Sequence, residues 1–313
     1  MRVFRSLESV PPGAQGCAVS IGNFDGVHEG HRQLFQRNLE ICAALGLVPS
    51  VLTFDPHPTH VVAPRRAPKL LTTIDERIAL IGQQGIQQVF VLPFDRTFSQ
   101  LSPEQFIRRV VVERIRAKAV LVGENFRFGA KQAGETTLLR KLGEQHGFHV
   151  EIVPSYIVRG RVASSTAVRE LVTVGDVSKA CRLLGRSYAL DGQVVSGFGI
   201  GSRQTVPTLN LETAAEVLPA RGVYITRTHD LDRTARQWPS ITNIGTRPTF
   251  DGGAQTIETF LLAKLDGDSP THIRVDLLRR VRDERKFESP EALKGQILRD
   301  VGRAQTYFRR IGK

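Results

Sequence analysis

The chain contains no run of about eighteen consecutive apolar residues, which excludes an ordinary membrane-spanning helix. Its opening stretch, MRVFRSLESVPPGAQG, lacks the apolar core of a secretory leader and predicts a chain that stays in the cytoplasm. Cysteine is scarce. Cys17, Cys42 and Cys181 are odd in number, far apart and without a CxxC pair, so reduced, mostly buried thiols are expected rather than disulfides or a zinc site. Also missing are zinc-finger spacing, basic-leucine-zipper heptads and the aromatic-studded signature of RNA-binding sheets. There is no internal repeat and no low-complexity linker.

The 313 residues, 41% hydrophobic and 24% charged, have ordinary globular composition but exceed the comfortable size of one core, so two domains are expected. The 43 Lys+Arg against 31 Asp+Glu leave a net charge of +12. Such an excess attracts nucleic acid, anionic lipid or phosphorylated metabolites, and equally suits a solvated basic surface. Basic residues are spread along the chain except for short clusters such as Arg279-Arg280 and Arg309-Arg310. Charge alone does not choose among these partners.

In the first half, short apolar strands alternate with helical patterns. CAVSI (17–21) precedes a helix in which Phe35, Leu39, Cys42 and Leu45 recur at helical spacing. Strands follow at 49–54, 88–94, 119–123 and 149–153, with helices from about Asp75, after SPEQF (102–106) and near 136–144. SPEQF supplies Ser at the N-cap, Pro at the first helical position and Gln at N3, a capping-box pattern. This alternation predicts a parallel sheet covered on both faces, with ligands beyond the carboxyl ends of its strands. GNFDGVHEGH, TFDPHP and GENFRFG all lie at or just past such ends.

From about residue 185 the pattern becomes short strands separated by Gly, Pro and Asp turns, which predicts an antiparallel barrel or sandwich. A final amphipathic helix is expected with Ser289 as N-cap, Pro290 in its first turn and Leu293, Ile297, Val301 and Tyr307 on its buried side. The expected domains are 1–185 and 186–313.

SIGNFDGVHEGHRQLF (20–35) packs glycines, an Asp and two histidines between a strand and a helix. His28 and His31 are three apart across a glycine, which does not match the i, i+4 spacing of a zinc-protease helix. A plain polar turn is the alternative to a phosphate site. The phosphate reading explains more: Gly22, Gly26 and Gly30 admit a ligand close to the backbone, and a helix start presents free N–H groups to an anion.

These residues resemble a known family. Asn23 to His31 is similar to the extended HxGH signature of nucleotidylyl transferases, closest to the bacterial bifunctional riboflavin kinase/FAD synthetase (FMN adenylyltransferase) version. Ser164 to Glu170, SSTAVRE, resembles the partner motif that holds ATP phosphates, and VGENFRFG (122–129) the loop lining the flavin and ATP. The resemblance implies a Rossmann-like α/β domain of the HxGH type that transfers AMP from ATP to FMN, releasing pyrophosphate. It places His28 and His31 on the phosphates, and Gly22, Asn23, Phe24, Asp25, Gly26, Asn125, Ser164, Ser165, Thr166 and Arg169 in substrate and nucleotide binding. FDPHP (54–58) matches a segment beside that site, although for His57 a proline-braced loop explains the residue as well.

In the second half, GFGIGSRQTVPTLNLE (197–212), NIGTRPTF and TIETFLL resemble the riboflavin kinase module, a β-barrel followed by a C-terminal helix. Thr208 and Asn210 stand in its PTxN motif, which implies binding of Mg²⁺ and nucleotide phosphates; Gly197, Gly199 and Gly201 imply a flap over them. Glu258, an acid on a largely apolar strand, is either solvent-facing or placed for chemistry; the resemblance makes it the base for the riboflavin 5′-hydroxyl. Arg247 faces phosphate or braces its loop. Thr205-Val206 departs from the family's more usual Gly-Phe, which leaves the flap's contacts open. The implied function is phosphorylation of riboflavin to FMN and adenylylation of FMN to FAD. The expected partners are small molecules, with neither nucleic acid nor membrane, and oligomeric state is left open. A nucleic-acid-binding protein or another HxGH adenylyltransferase, acting on pantetheine phosphate or nicotinamide mononucleotide, explains less: the first ignores mononucleotide-sized motifs, the second the barrel and PTxN.

Overall fold

The computed structural model describes residues 1–11, 16–195, 208–233, 236–246, 255–265 and 267–312. It divides into two compact units, Met1–Ser165 and Thr166–Lys313. Gly197, Gly199, Gly201, Thr205, Val206 and Arg247 lie outside the described residues.

The first unit runs β1 (Arg2–Phe4), β2 (Cys17–Ile21), α1 (Glu29–Leu45), β3 (Val48–Asp55), α2 (Pro58–Val62), α3 (Ile74–Gly82), β4 (Gln88–Pro93), α4 (Pro103–Phe106), β5 (Ala117–Gly123), α5 (Thr136–His146) and β6 (His149–Val153), then a small hairpin, β7 (Ile157–Val158) and β8 (Arg161–Val162). The six-stranded sheet has the order β1-β4-β3-β2-β5-β6, and every pair is parallel. The predicted strands all form. The SPEQF capping box is complete, with Ser102 and Gln105 satisfying each other's backbone N–H, but α4 continues as a π-helix, Ile107–Arg114, which no periodicity announces.

Both faces of the sheet are covered, which is why β2 is buried at every position. One face packs Leu34, Phe35 and Ile41 of α1 with Ile78 and Ile81 of α3; the other packs Phe106, Ile107 and Val110 with Leu139 and Leu142 of α5. Chain order reverses at β2, flanked by β3 and β5, so the cleft beyond the carboxyl ends of β2 and β5 is the switch point at which such sheets take ligands.

Asn38 sets the height of α1 over that cleft. Fully buried, its amide donates to the Ala18 carbonyl, the Ser20 hydroxyl and the Ser50 carbonyl at 3.0–3.1 Å, while its oxygen accepts from the Cys42 thiol. Asn38→Ala strands these groups without water, so a loss of about 1–3 kcal/mol is expected, read as a lower midpoint in urea unfolding. An unchanged midpoint would show that the pin contributes nothing.

The second unit begins with α6, whose bounds Ser165–Thr173 straddle the division, and α7 (Val177–Leu184). Then come β9 (Tyr188–Val195), β10 (Thr208–Glu212), β11 (Gly222–Asp230), β12 (Gln237–Thr246), β13 (Gln255–Leu261), β14 (His272–Asp283) and α8 (Pro290–Arg310). The strands close into an antiparallel barrel of order β10-β13-β12-β11-β14-β9. Inside stand Leu209, Ile244, Ile257 and Leu277, with a hydroxyl chain in which Thr226 meets Ser240 and Thr242 at 2.8 Å and Thr242 meets Thr259 at 3.0 Å. The hydroxyls satisfy one another, which makes their burial tolerable. The opposite face carries Val223, Ile225, Ile241 and Phe260 against Ala304 and Phe308 of α8.

The last helix starts as expected, Ser289 capping the Ala292 N–H with Pro290 in the first turn. Its buried side is different. Gln296, Asp300, Ala304 and Phe308 are buried, Ile297, Val301 and Tyr307 only half so, and Leu293 is exposed. The reason is polar: Asp300 receives Arg282 at 2.8 Å and the Gln296 amide at 2.7 Å, and Arg285 reaches Gln296. A paired carboxylate outweighs the aliphatic stripe in setting the helix's rotation.

Candidate active sites

In the first unit the turn between β2 and α1 is held in shape by buried polar groups. The Asp25 carboxylate, 1% exposed, accepts from the backbone N–H groups of Leu71 and Thr72 and from the Thr72 hydroxyl, at 3.0–3.2 Å. The Thr72 hydroxyl takes the Gly26 N–H at 3.1 Å, and the Ser165 hydroxyl donates to the Asp25 carbonyl at 2.8 Å. Arg77, 2% exposed, stands 3.8 Å from Asp25. Burial pulls its guanidinium below the ordinary value, against the Asp25 and Asp55 carboxylates, which favour the charged form. Gly26 has φ +78°, and a Cβ there would stand 2.7 Å from Leu71 Cδ1. Phe24 and Val27 take left-handed backbone without being glycine, strain of the kind that gathers at functional turns.

The turn delivers two imidazoles to the start of α1. His28 is the N-cap, and its Nδ1 accepts from the His31 N–H at 3.4 Å. A neutral ring that accepts at Nδ1 carries its proton on Nε2. The two rings stack with centroids 3.6 Å apart, and Phe24 meets His31 edge-on at 5.1 Å. Gly30 makes room: a Cβ there would come within 3.1 Å of the His28 ring and of the Ala163 carbonyl. His57 also caps a helix, accepting from the Thr59 N–H at 3.3 Å, as a braced loop requires.

Beside the turn lies a cavity of about 410 Å³. Gly22 and Asn23 enter it from the end of β2, and Asn125, Phe126 and Phe128 from the loop after β5. Phe54, Phe94 and Phe98 form further wall, with Arg127 and Lys131 at its edge. Thr53 fixes the Asn23 carbonyl at 3.1 Å. An aromatic slot with a few amides and two cations suits a flat ring system bearing an anionic tail. Ser164 and Ser165 close this unit; Thr166 and Arg169 lie on α6 within the second.

In the second unit the register assembles a polar row. Asn210 on β10 stands opposite Glu258 on β13, and Glu258 stands opposite Asn243 on β12. Thr208 pairs with Phe260 one step along. All share the face that carries Ile241 and Phe260, outside the barrel, and all are half-buried. Neighbours so paired have Cβ atoms about 4.5–5.5 Å apart. One carboxylate is thus flanked by two amides, with a hydroxyl at the same end. Asn243 escaped the sequence reading although it carries the same signal as Glu258, a polar residue on an apolar strand. Arg77 and Thr72 gave none, since their contacts reach across some fifty positions.

Family models agree with both halves: residues 10–167 match FAD synthetase and residues 184–308 match riboflavin kinase. The chain belongs to the bifunctional riboflavin kinase/FMN adenylyltransferase family. Family members so named are 36% identical in Escherichia coli (strain K12), over 98% of each chain, and 33% in Pseudomonas fluorescens, over 97% of each. The member from Haemophilus influenzae is 32% identical, over 98% of this chain and 99% of that one. A crystal structure described as a macrolide-efflux protein from Streptococcus pneumoniae matches with a TM-score of 0.86 over 97% of this chain and 98% of that one. At 24% identity it speaks for the fold alone. The enzyme is a riboflavin kinase and an FMN adenylyltransferase, with riboflavin, FMN and ATP as substrates and FAD as product. Among the described residues no helix is long and apolar enough to cross a membrane, and no cluster of three or more His, Cys, Asp or Glu stands ready for a metal.

Proposed function

We propose that residues 1–185 carry adenylyl transfer and residues 186–313 carry phosphorylation, and that the two polar constellations are the reaction centres. For the kinase, the observation that carries the reading is the Asn210–Glu258–Asn243 row. Glu258 takes the proton of the riboflavin 5′-hydroxyl as its oxygen attacks the γ-phosphorus of ATP, and ADP leaves with the bond electrons. Asn210 and Asn243 hold the carboxylate and the reacting groups in one plane of the sheet. Thr208 and Asn210, two residues apart on one face, offer hard oxygen donors of the kind Mg²⁺ accepts alongside phosphate and water. The ion, when bound, offsets phosphate charge.

For adenylyl transfer, an FMN phosphate oxygen attacks the α-phosphorus of ATP and pyrophosphate departs, with no covalent enzyme intermediate. The chain's part is alignment and charge stabilisation. His28 and His31, with the first N–H groups of α1, face the phosphates, while Ser164, Ser165, Thr166 and Arg169 hold ATP. The aromatic slot takes the flavin, with Asn23 and Asn125 on its polar edge. Asp25, turned inward, acts by fixing the turn. Three free thiols, Cys17 and Cys42 buried among them, suit a cytoplasmic enzyme.

Fragments test the division. α7 buries Val177, Ala180, Leu183 and Leu184, and its Ser178 and Cys181 donate to Leu278 and Leu277 of β14. A fragment starting at Thr166 is therefore expected to fold and convert riboflavin to FMN with Mg-ATP, without making FAD. One starting at Arg186 keeps the reaction but melts lower. A folded, inactive Thr166 fragment would remove the kinase chemistry from the barrel.

A further inference from the structure

A groove of about 740 Å³ in the barrel unit belongs to neither reaction centre. It lies where α8 crosses β11 and β14, whereas the Asn210–Glu258–Asn243 row stands on β10, β13 and β12, beyond β11 in the strand order. Five arginines line it: Arg279 and Arg280 from β14, and Arg299, Arg303 and Arg310 from α8. Two basic clusters some thirty positions apart in sequence, Arg279-Arg280 and the end of α8, thus contribute to one groove. On α8 the spacing i, i+4, i+11 sets the three cations along a single stripe.

The carboxylates that flank this groove are engaged with other groups or with one arginine only. Asp283 pairs with Arg280 at 3.0 Å, Asp176 with Lys179 at 2.7 Å and Asp300 with Arg282 at 2.8 Å. Among the described residues no carboxylate pairs with Arg279, Arg303 or Arg310, and Arg299 donates to the Gln296 side-chain oxygen at 2.8 Å rather than to a carboxylate. Val281 and Tyr307, both half-buried, supply apolar surface between the charges.

Gly302 is the second observation. It sits in the interior of a 21-residue helix, on the groove, with φ outside the left-handed region and nothing within 4 Å of where a Cβ would stand. Glycine weakens a helix interior relative to alanine. No neighbour in the chain requires it there, and it leaves an exposed stretch of the groove's lining, near Arg299, Arg303 and Thr306, without a side chain.

We propose that this groove binds an oligophosphate anion, at a site separate from both reaction centres. Guanidinium groups hold phosphate oxygens through paired N–H donors, and converging arginines suit a chain of phosphates better than a single charge. The volume falls in the range of small-ligand sites rather than that of an extended polymer track. The apolar surface gives a nucleotide base somewhere to lie, so the source is a nucleoside polyphosphate or a free phosphate chain.

Calorimetric titration of the full-length enzyme with inorganic tripolyphosphate tests this, with ADP as a second probe. Wild type is expected to bind one more equivalent than the Arg299→Glu/Arg303→Glu variant. Gly302→Leu, which keeps every arginine and favours the helix, is expected to weaken that equivalent at least tenfold by placing a bulky side chain in the groove's lining. Neither variant should melt lower than wild type, and both should form FMN at the wild-type rate. Tighter binding of ADP than of tripolyphosphate assigns the site to nucleotides, and the reverse to phosphate chains; either supports the proposal. Equal isotherms for wild type and the charge reversal overturn it. So does Gly302→Leu binding like wild type, which reduces the groove to a diffuse basic surface. Loss of FMN formation in Gly302→Leu would make the groove part of the kinase centre, and tighter binding of a single-stranded RNA dodecamer than of either probe would make it a nucleic-acid surface.

Discussion

Glu258→Gln is expected to lower FMN formation from riboflavin by about 10²–10⁴-fold, the usual contribution of a general base. Glutamine keeps the size and reach of the side chain between Asn210 and Asn243, so the row stays assembled and riboflavin binding changes little. What disappears is the ability to take the hydroxyl proton. The same variant supplied with FMN and Mg-ATP should make FAD at nearly the parental rate, because none of the residues proposed for that chemistry lies on the barrel strands. Parallel assays separating riboflavin, FMN and FAD read both rates. If the variant phosphorylates riboflavin at full speed, Glu258 is only a polar residue on the outer face of a barrel strand.

His31→Ala divides the activities the other way. FAD formation is expected to fall by about 10²–10³-fold, the cost of removing one donor from developing charge, while FMN formation persists. Its ring lies between Phe24 and His28, so truncation also opens space beside the His28 ring. His31→Gln separates the two effects: it restores a donor without an imidazole, and partial recovery would place the role in donation rather than packing. Equal loss of both activities in His31→Ala would point to a general structural role, and unchanged FAD formation would remove His31 from the reaction.

Much of the fold was legible because its periods are local. The apolar runs at 17–21, 49–54, 88–94, 119–123 and 149–153 became five strands of the parallel sheet, and the alternation with helices set the fold class. SPEQF and Ser289-Pro290 announced their helix starts, since capping is settled within four residues. The three-residue edge strand β1 was not legible, because it exists only by pairing with β4. The buried side of α8 was misread, because Asp300 looks like a surface residue until Arg282 arrives from β14.

The sequence by itself determined the two-part plan, the strand-to-helix turn with its His pair, and the PTxN and Glu258 positions, since motif spacing and turn chemistry are properties of neighbouring residues. Only the tertiary structure decided what those residues stand beside. Closure of the barrel brought Asn243 and Asn210 to either side of Glu258 from strands distant in sequence. Folding of the first unit seated Asp25 on Leu71 and Thr72 and buried Arg77 against it. It also gathered phenylalanines from the ends of β3, β4 and β5 into one slot, and the barrel with its last helix turned scattered arginines into a groove. Pairings of this kind depend on register and on the rotation of whole elements. Many residues decide these together, so no single stretch of sequence contains them.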